Sequence, residues 1–157
     1  MNRSLSDYMS TDLIAFLNVE TRDQALLRMV ELIYNAGAIK DQQGFFNAIL
    51  QREGIVTTGV GMGIAIPHAK LPSYNHFFIG IGILQKPVDW DSLDGSLVRL
   101  VFMIGGPDDK QTEYLQILSS LTQTIKDEDR RKKLLNCTTA AEVFQLFQAA
   151  PGNGFVT

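Results

Sequence analysis

The residues best suited to chemistry lie between Glu53 and Lys70, where Thr57, Thr58, Gly59, Gly61 and Gly63 precede Ile64-Ala65-Ile66-Pro67-His68. Glycines at these positions let backbone amides approach a ligand without an intervening Cβ, and the threonines add hydroxyl donors. That combination suits phosphate. Ile64 to Ile66 reads as a short buried strand. Pro67 ends it by removing a ladder donor and fixing its own φ, which displays the His68 imidazole at a strand's end. With an unperturbed pKa of about 6.5, an imidazole is mostly neutral at pH 7 and has a lone pair to offer phosphorus without a general base. Phosphoryl transfer then depends on donors placed around the charged oxygens, and the candidates are the loop amides, Thr57, Thr58 and the Arg52 guanidinium. Spacing alone leaves two readings of His68 open, a nucleophile towards phosphorus and a structural or incidental histidine.

Other chemistries fail on spacing. A dinucleotide fingerprint built on Gly59-x-Gly61 needs a small residue at position 64, where Ile64 stands, and the loop runs into a strand instead of opening a helix. Lys70 is preceded by Ala69 and followed by Leu71, so no phosphate-binding Gly-Lys-Ser/Thr is present. The acidic turn Asp89 to Gly95 has Asp94 where a calcium loop needs glycine, and Leu100 where it needs a bidentate glutamate; it reads as a solvated turn. His68 and His76 lack the spacing of a helical zinc pair, and no nucleophile elbow of the form Gly-x-Ser-x-Gly occurs. No metal ligand set and no cofactor are expected.

The elements that must hold this segment follow from bulk properties and periodicity. A chain of 157 residues with 45% hydrophobic residues and a net charge of −3 is expected to be one globular domain with a full core and no nucleic-acid partner. The longest apolar run, Phe77 to Leu84, is too short to span a membrane, and Met1-Asn2-Arg3-Ser4 does not open a signal peptide. A cytoplasmic protein without membrane insertion is expected. Cys137 is the single cysteine, a half-buried packing residue on this reading. The domain is expected over 1–150, with a flexible tail over 151–157.

An edge strand is expected near Leu13 to Phe16. A capping box at Thr21-Arg22-Asp23-Gln24 opens a helix whose apolar positions are Ala25, Leu26, Met29, Val30, Ile33 and Tyr34, and Gly37 stops it. A second helix after Asp41 turns Phe45, Phe46, Ile49 and Leu50 to the core and leaves Arg52 and Glu53 beside the glycine loop. Arg52 is expected to be exposed. Phe77 to Leu84 and Leu97 to Ile104 predict an antiparallel pair. Beyond Asp109 the pattern is helical, with a stripe of Tyr114, Leu115, Ile117, Leu118, Leu121 and Ile125, then Arg130 to Leu135, then a Thr139-x-x-Glu142 box opening Val143 to Phe147. Central strands flanked by helices imply a sheet covered on both faces.

Glu53, six residues, then Val60-Gly61-x-x-Ile64-Ala65-Ile66-Pro67-His68-Ala69 resembles the active-site signature of enzyme IIA components of the fructose–mannitol type in the bacterial phosphoenolpyruvate-dependent sugar phosphotransferase system. The similarity continues through Leu50-x-Arg52-Glu53, Lys86-Pro87-Val88-Asp89-Trp90 and Leu97 to Phe102, and covers nearly the whole chain. The resemblance implies a three-layer α/β/α sandwich with a mixed β-sheet. It also implies that His68 accepts a phosphoryl group from the phosphohistidine of the carrier protein HPr or its nitrogen-branch counterpart. Arg52, Thr57, Thr58 and Gly59 would then surround the phosphate. Gly63-Ile64-Ala65-Ile66-Pro67-His68-Ala69-Lys70-Leu71 looks most like the nitrogen-regulatory branch, whose members act mainly by binding proteins according to phosphorylation state.

One position departs from the family. A second histidine usually lies beside the nucleophile, and here Tyr114 stands in its place. A phenol donates a hydrogen bond but does not become a cation, so Tyr114 is either a phosphate ligand or a packing residue. Three outputs stay open: a nitrogen-regulatory-type regulator, a sugar-transport IIA that passes phosphate to a separate IIB, and a binding protein that is never phosphorylated.

Overall fold

In the computed structural model, residues 3–148 are described. The tail expected over 151–157, and the last residues of the domain expected over 1–150, lie outside them.

The chain forms six strands: β1 (Ile14–Leu17), β2 (Gly59–Gly61), β3 (Ile64–Ala65), β4 (His68–Leu71), β5 (Phe78–Val88) and β6 (Val98–Pro107), of which β2 and β4 are not predicted by periodicity. They form one sheet in the order β1-β5-β6-β3-β2, with β4 also paired to β6. β5 and β6 are antiparallel, whereas β1 on β5, and β3 and β4 on β6, are parallel, so the sheet is mixed. Alternation along β6 sends Leu100, Phe102 and Ile104 to one face and Val101 and Met103 to the other, into two separate buried clusters.

Helices cover both faces. α1 (Arg22–Asn35) and α2 (Gln42–Ile55) pack Leu26, Met29, Ile33, Phe45 and Ile49 on the Met103 side. α3 (Gln111–Ile125), α4 (Glu128–Asn136) and α5 (Ala140–Gln148) pack Ile117, Leu121, Leu134, Val143 and Phe147 on the Phe102 side. The result is the three-layer α/β/α sandwich. Each such side chain, fully removed from water, contributes roughly 1.5–3 kcal/mol over its exposed state. Gly82 shows how closely α1 approaches the sheet, since a Cβ there would meet Met29 Sδ at 2.6 Å.

The helix signals act as their chemistry requires. Thr21 Oγ1 accepts from the Gln24 amide at 3.2 Å, Asp41 Oδ1 from the Gly44 amide at 2.9 Å, and Thr139 Oγ1 from the Glu142 amide at 3.2 Å. At the end of α1 the amides of Gly37 and Ala38 donate to Tyr34 and Ile33 carbonyls at 3.0 and 3.2 Å, a Schellman closure.

Periodicity overreached in three places. Tyr34 and Leu115 belong to the apolar stripes by spacing, yet they are 42% and 51% exposed, because each lies at the margin of the face its helix turns to the sheet. Trp90 belongs by spacing to a solvated turn and is instead fully buried, because its ring completes the core beneath that turn. β5 runs on to Val88 past Leu84; the ladder slips between Ile83 and Val88, which accommodates Pro87, and Arg99 Nε donates to the Leu84 carbonyl at 2.9 Å.

Candidate active site

The end of α2 and the glycine-rich segment are joined through one buried carboxylate. Glu53 points inward, 4% exposed, and accepts from the Thr58 amide and the Thr58 hydroxyl, both at 2.6 Å. Trp90 Nε1 donates to Thr58 Oγ1 at 3.0 Å and approaches Glu53 Oε1 at 3.4 Å. Thr57 Oγ1 donates to the Trp90 carbonyl at 2.7 Å and accepts from the Gly59 amide at 3.0 Å. The hydroxyls of Thr57 and Thr58 and the amides of Thr58 and Gly59 are therefore engaged within the fold, a different use from the phosphate contacts expected of them.

The rest of the glycine segment is a hairpin of β2 and β3 pinned by the turn before β6. Asp94 Oδ2 accepts from the Met62 amide at 3.0 Å, and Ser96 Oγ from the Gly63 amide at 3.2 Å. Gly61 and Gly63 take φ of +101° and +77°, values that L side chains rarely adopt, so glycine serves the hairpin geometry. Spacing read these glycines as a ligand cradle because glycine serves both purposes.

His68 stands at the start of a strand and not at the end of one. Pro67 interrupts the ladder, its carbonyl accepts from the Ile104 amide at 2.9 Å, and the chain rejoins the sheet as β4 with His68 opposite Ile104. His68 Nδ1 lies 3.1 Å from the Ile66 carbonyl. A carbonyl only accepts, so Nδ1 carries the ring proton and Nε2 carries the lone pair. Burial holds the half-buried imidazole below its ordinary pKa; Arg52 and Lys70 push the same way, while the Ile66 bond and Glu53 oppose them. A ring held below its ordinary pKa favours the unprotonated form near neutral pH, with its lone pair on Nε2.

Tyr114, on the first turn of α3, places its ring centroid 5.7 Å from that of His68 and 6.2 Å from that of Phe77. It is 6% exposed, and burial raises its phenol's pKa. Lys70 Nζ lies 4.2 Å from the Tyr114 centroid and donates to Gln111 Oε1 at 2.7 Å. Arg52 is half-buried, against the expectation of exposure, because Nη1 folds back to the Val56 carbonyl at 2.9 Å and closes its own helix. A cleft of about 540 Å³ is lined by Gln51, Arg52, Ile55, His68, Lys70 and Asp108. His68, Arg52 and Tyr114 are thus brought together, and His76 stays exposed near the entry to β5. Spacing missed two contributors: Glu53 as the organiser of the loop, and Lys70, whose signal was its position two residues beyond His68 on one strand face.

A larger cleft of about 680 Å³, around Arg3, Tyr8 and Glu113, carries no nucleophile of this kind; Tyr8 donates to Glu113 Oε2 across it at 2.7 Å. Among the described residues no group of three or more His, Cys, Asp and Glu side chains is disposed to hold a metal ion. No helix among them is long and apolar enough to cross a membrane.

A half-buried imidazole that shares a cleft with Arg52 and Lys70 is thus carried on a mixed-sheet α/β/α sandwich. A family model described as "Phosphoenolpyruvate-dependent sugar phosphotransferase system, EIIA 2" matches residues 7–150, and the chain belongs to that family of phosphocarrier domains. It is 34% identical over 149 residues to a nitrogen regulatory protein of Bradyrhizobium diazoefficiens, covering 90% of this chain and 95% of that one. It is 36% identical over 132 residues to the fructose-specific EIIABC component of Bacillus subtilis, covering 83% of this chain but spanning only 21% of that longer protein. In fold it is similar to the nitrogen regulatory protein IIA-Ntr of Neisseria meningitidis, with a TM-score of 0.85, 23% identity, and 91% and 98% of the two chains covered. The mannitol IIA of Escherichia coli, solved in complex with phosphorylated IIB, is similar at a TM-score of 0.75, 22% identity, and 88% and 96% coverage.

Proposed function

We propose that this protein accepts a phosphoryl group on Nε2 of His68 from the phosphohistidine of an HPr-like carrier, and that its output is regulatory, through partners that distinguish the phosphorylated from the unmodified form. The Nε2 lone pair attacks phosphorus, the new N–P bond forms, and the donor imidazole leaves with the electron pair of the broken N–P bond. The observation that carries the reading is the Nδ1 to Ile66 carbonyl contact of 3.1 Å, which assigns the ring proton to Nδ1 and leaves Nε2 as the attacking atom. Arg52 flanks the incoming anion, the Tyr114 ring packs against the His68 ring, and Glu53, Thr57, Thr58 and Gly59 support the loop behind them. The nitrogen-regulatory output is supported by the 34% identity over 149 residues to a nitrogen regulatory protein. Onward transfer to a separate IIB is the second reading, favoured by the neighbour solved with phosphorylated IIB.

Incubation with phosphoenolpyruvate, enzyme I and HPr, followed by intact mass before and after acid treatment, tests the first step. One acid-labile phosphoryl group, absent from His68→Ala, is the expected result; retained labelling in that variant removes His68 from the role. A chase with a separate IIB and its sugar then divides the two outputs. Label that persists supports the regulatory reading, and label that drains supports transport. No labelling by a competent carrier would mean that the unmodified protein is the functional form and that Tyr114 marks a lost activity.

A further inference from the structure

We propose that Lys70 is a second cation, beside Arg52, that contacts the phosphoryl group on His68, and that the Tyr114 ring and Gln111 hold it in place. The inference rests on the phosphoryl-acceptor reading of His68 and adds a second group that offsets the charge. His68 and Lys70 are two residues apart on β4, so both side chains leave the same face of the strand, and both line the same cleft. A lysine on a free four-carbon stem spreads its charge over many positions. This one does not, since its Nζ is placed 4.2 Å from the centroid of a buried tyrosine ring and 2.7 Å from Gln111 Oε1.

The ring is itself wedged between His68 and Phe77, at centroid distances of 5.7 and 6.2 Å. An ammonium has three N–H donors. Gln111 takes one, the ring face attracts the charge, and a donor remains for an oxygen on the neighbouring Nε2. Tyr114 is thus a positioning residue acting through its π face, and its phenol is not the phosphate ligand. Burial keeps that phenol protonated, so it brings no charge of either sign.

The test is the rate of acid-labile labelling from phosphorylated HPr, read with the melting temperature of each variant. Loss of a charge-assisted contact in Lys70→Gln is expected to slow labelling by about tenfold or more, with Lys70→Arg within about threefold of the native rate. Tyr114→Phe keeps the ring and is expected to stay within about threefold of native, while Tyr114→Leu slows labelling. The double variant Lys70→Gln/Tyr114→Leu is expected to be no slower than Lys70→Gln alone, since both changes remove one contact. Native labelling by Lys70→Gln overturns the proposal while leaving the acceptor reading intact. A Tyr114→Phe variant as slow as Lys70→Gln also overturns it, because the phenol would then be the ligand. A native protein that takes no label overturns both. Ring titration of His68 by NMR in the unmodified protein checks the placement without turnover: Lys70→Gln is expected to raise its pKa, and an unchanged value places Lys70 away from the ring.

Discussion

Both carboxylate oxygens of Glu53 are engaged by Thr58, one by its amide and one by its hydroxyl, each at 2.6 Å. The pair ties the last turn of α2 to the residue directly before β2, and so fixes the backbone that leads towards His68. Glu53→Gln turns one acceptor into a donor facing a donor, which orphans a buried group. A loss of about 1–3 kcal/mol in urea denaturation is expected. A loss below about 0.5 kcal/mol, the range of ordinary surface changes, would mean that the pair does not organise the loop.

Thr57 separates support from chemistry. Its hydroxyl joins the Trp90 carbonyl to the Gly59 amide, so Thr57→Val is expected to lower stability by about 1 kcal/mol and leave the labelling rate within about twofold. A labelling rate at least tenfold slower at unchanged stability would return Thr57 to the phosphate.

Arg52 combines both roles. Arg52→Ala removes the guanidinium from the Val56 carbonyl, for a stability loss of about 1 kcal/mol, and is expected to slow labelling by about tenfold to a hundredfold. Because Arg52 helps to keep the His68 ring neutral, the same change is expected to raise the pKa of His68 in an NMR titration. If stability falls while the rate and the titration hold, Arg52 is only a helix cap.

The depressed pKa of His68 has a sign that stability measurements can read. The unfolded imidazole takes its proton near pH 6.5, about its ordinary value, and the folded one only at lower pH. Between those two values the unfolded state binds more protons, so stability rises with pH across the window and is lost as pH falls through it. His68→Gln is expected to flatten that segment of the stability curve between about pH 7.5 and about pH 5. Parallel curves for the two proteins would contradict the depressed value.

Two glycines distinguish backbone from site. Gly61 has a φ of +101°, and a Cβ there would lie 2.8 Å from Asp94 Oδ2, so Gly61→Ala is expected to lower stability by about 1–2 kcal/mol. Gly54 lies in α2 with nothing within 4 Å of a built Cβ, and Gly54→Ala is expected to raise stability by about 0.5–1 kcal/mol. Opposite shifts in the melting temperature are the check.

Local spacing by itself determined the helix-covered sheet, the helix caps and the β5 and β6 pair, because these are written in contacts between residues two to four apart, whereas spacing left the role of His68 open. Tertiary structure alone decided what the donors do. Trp90 meets Thr58 and Glu53 from 32 and 37 residues away, and Lys70 meets Gln111 from 41 away, and such partners leave no periodicity to read. The register of β4 on β6 puts His68 opposite Ile104 and lets the strand rejoin the sheet after Pro67, which a proline read locally only terminates. A glycine or threonine has the same local signature whether its donors face a ligand or another part of the chain. Only the long-range pairing of buried polar groups, which must be satisfied somewhere, separates the two.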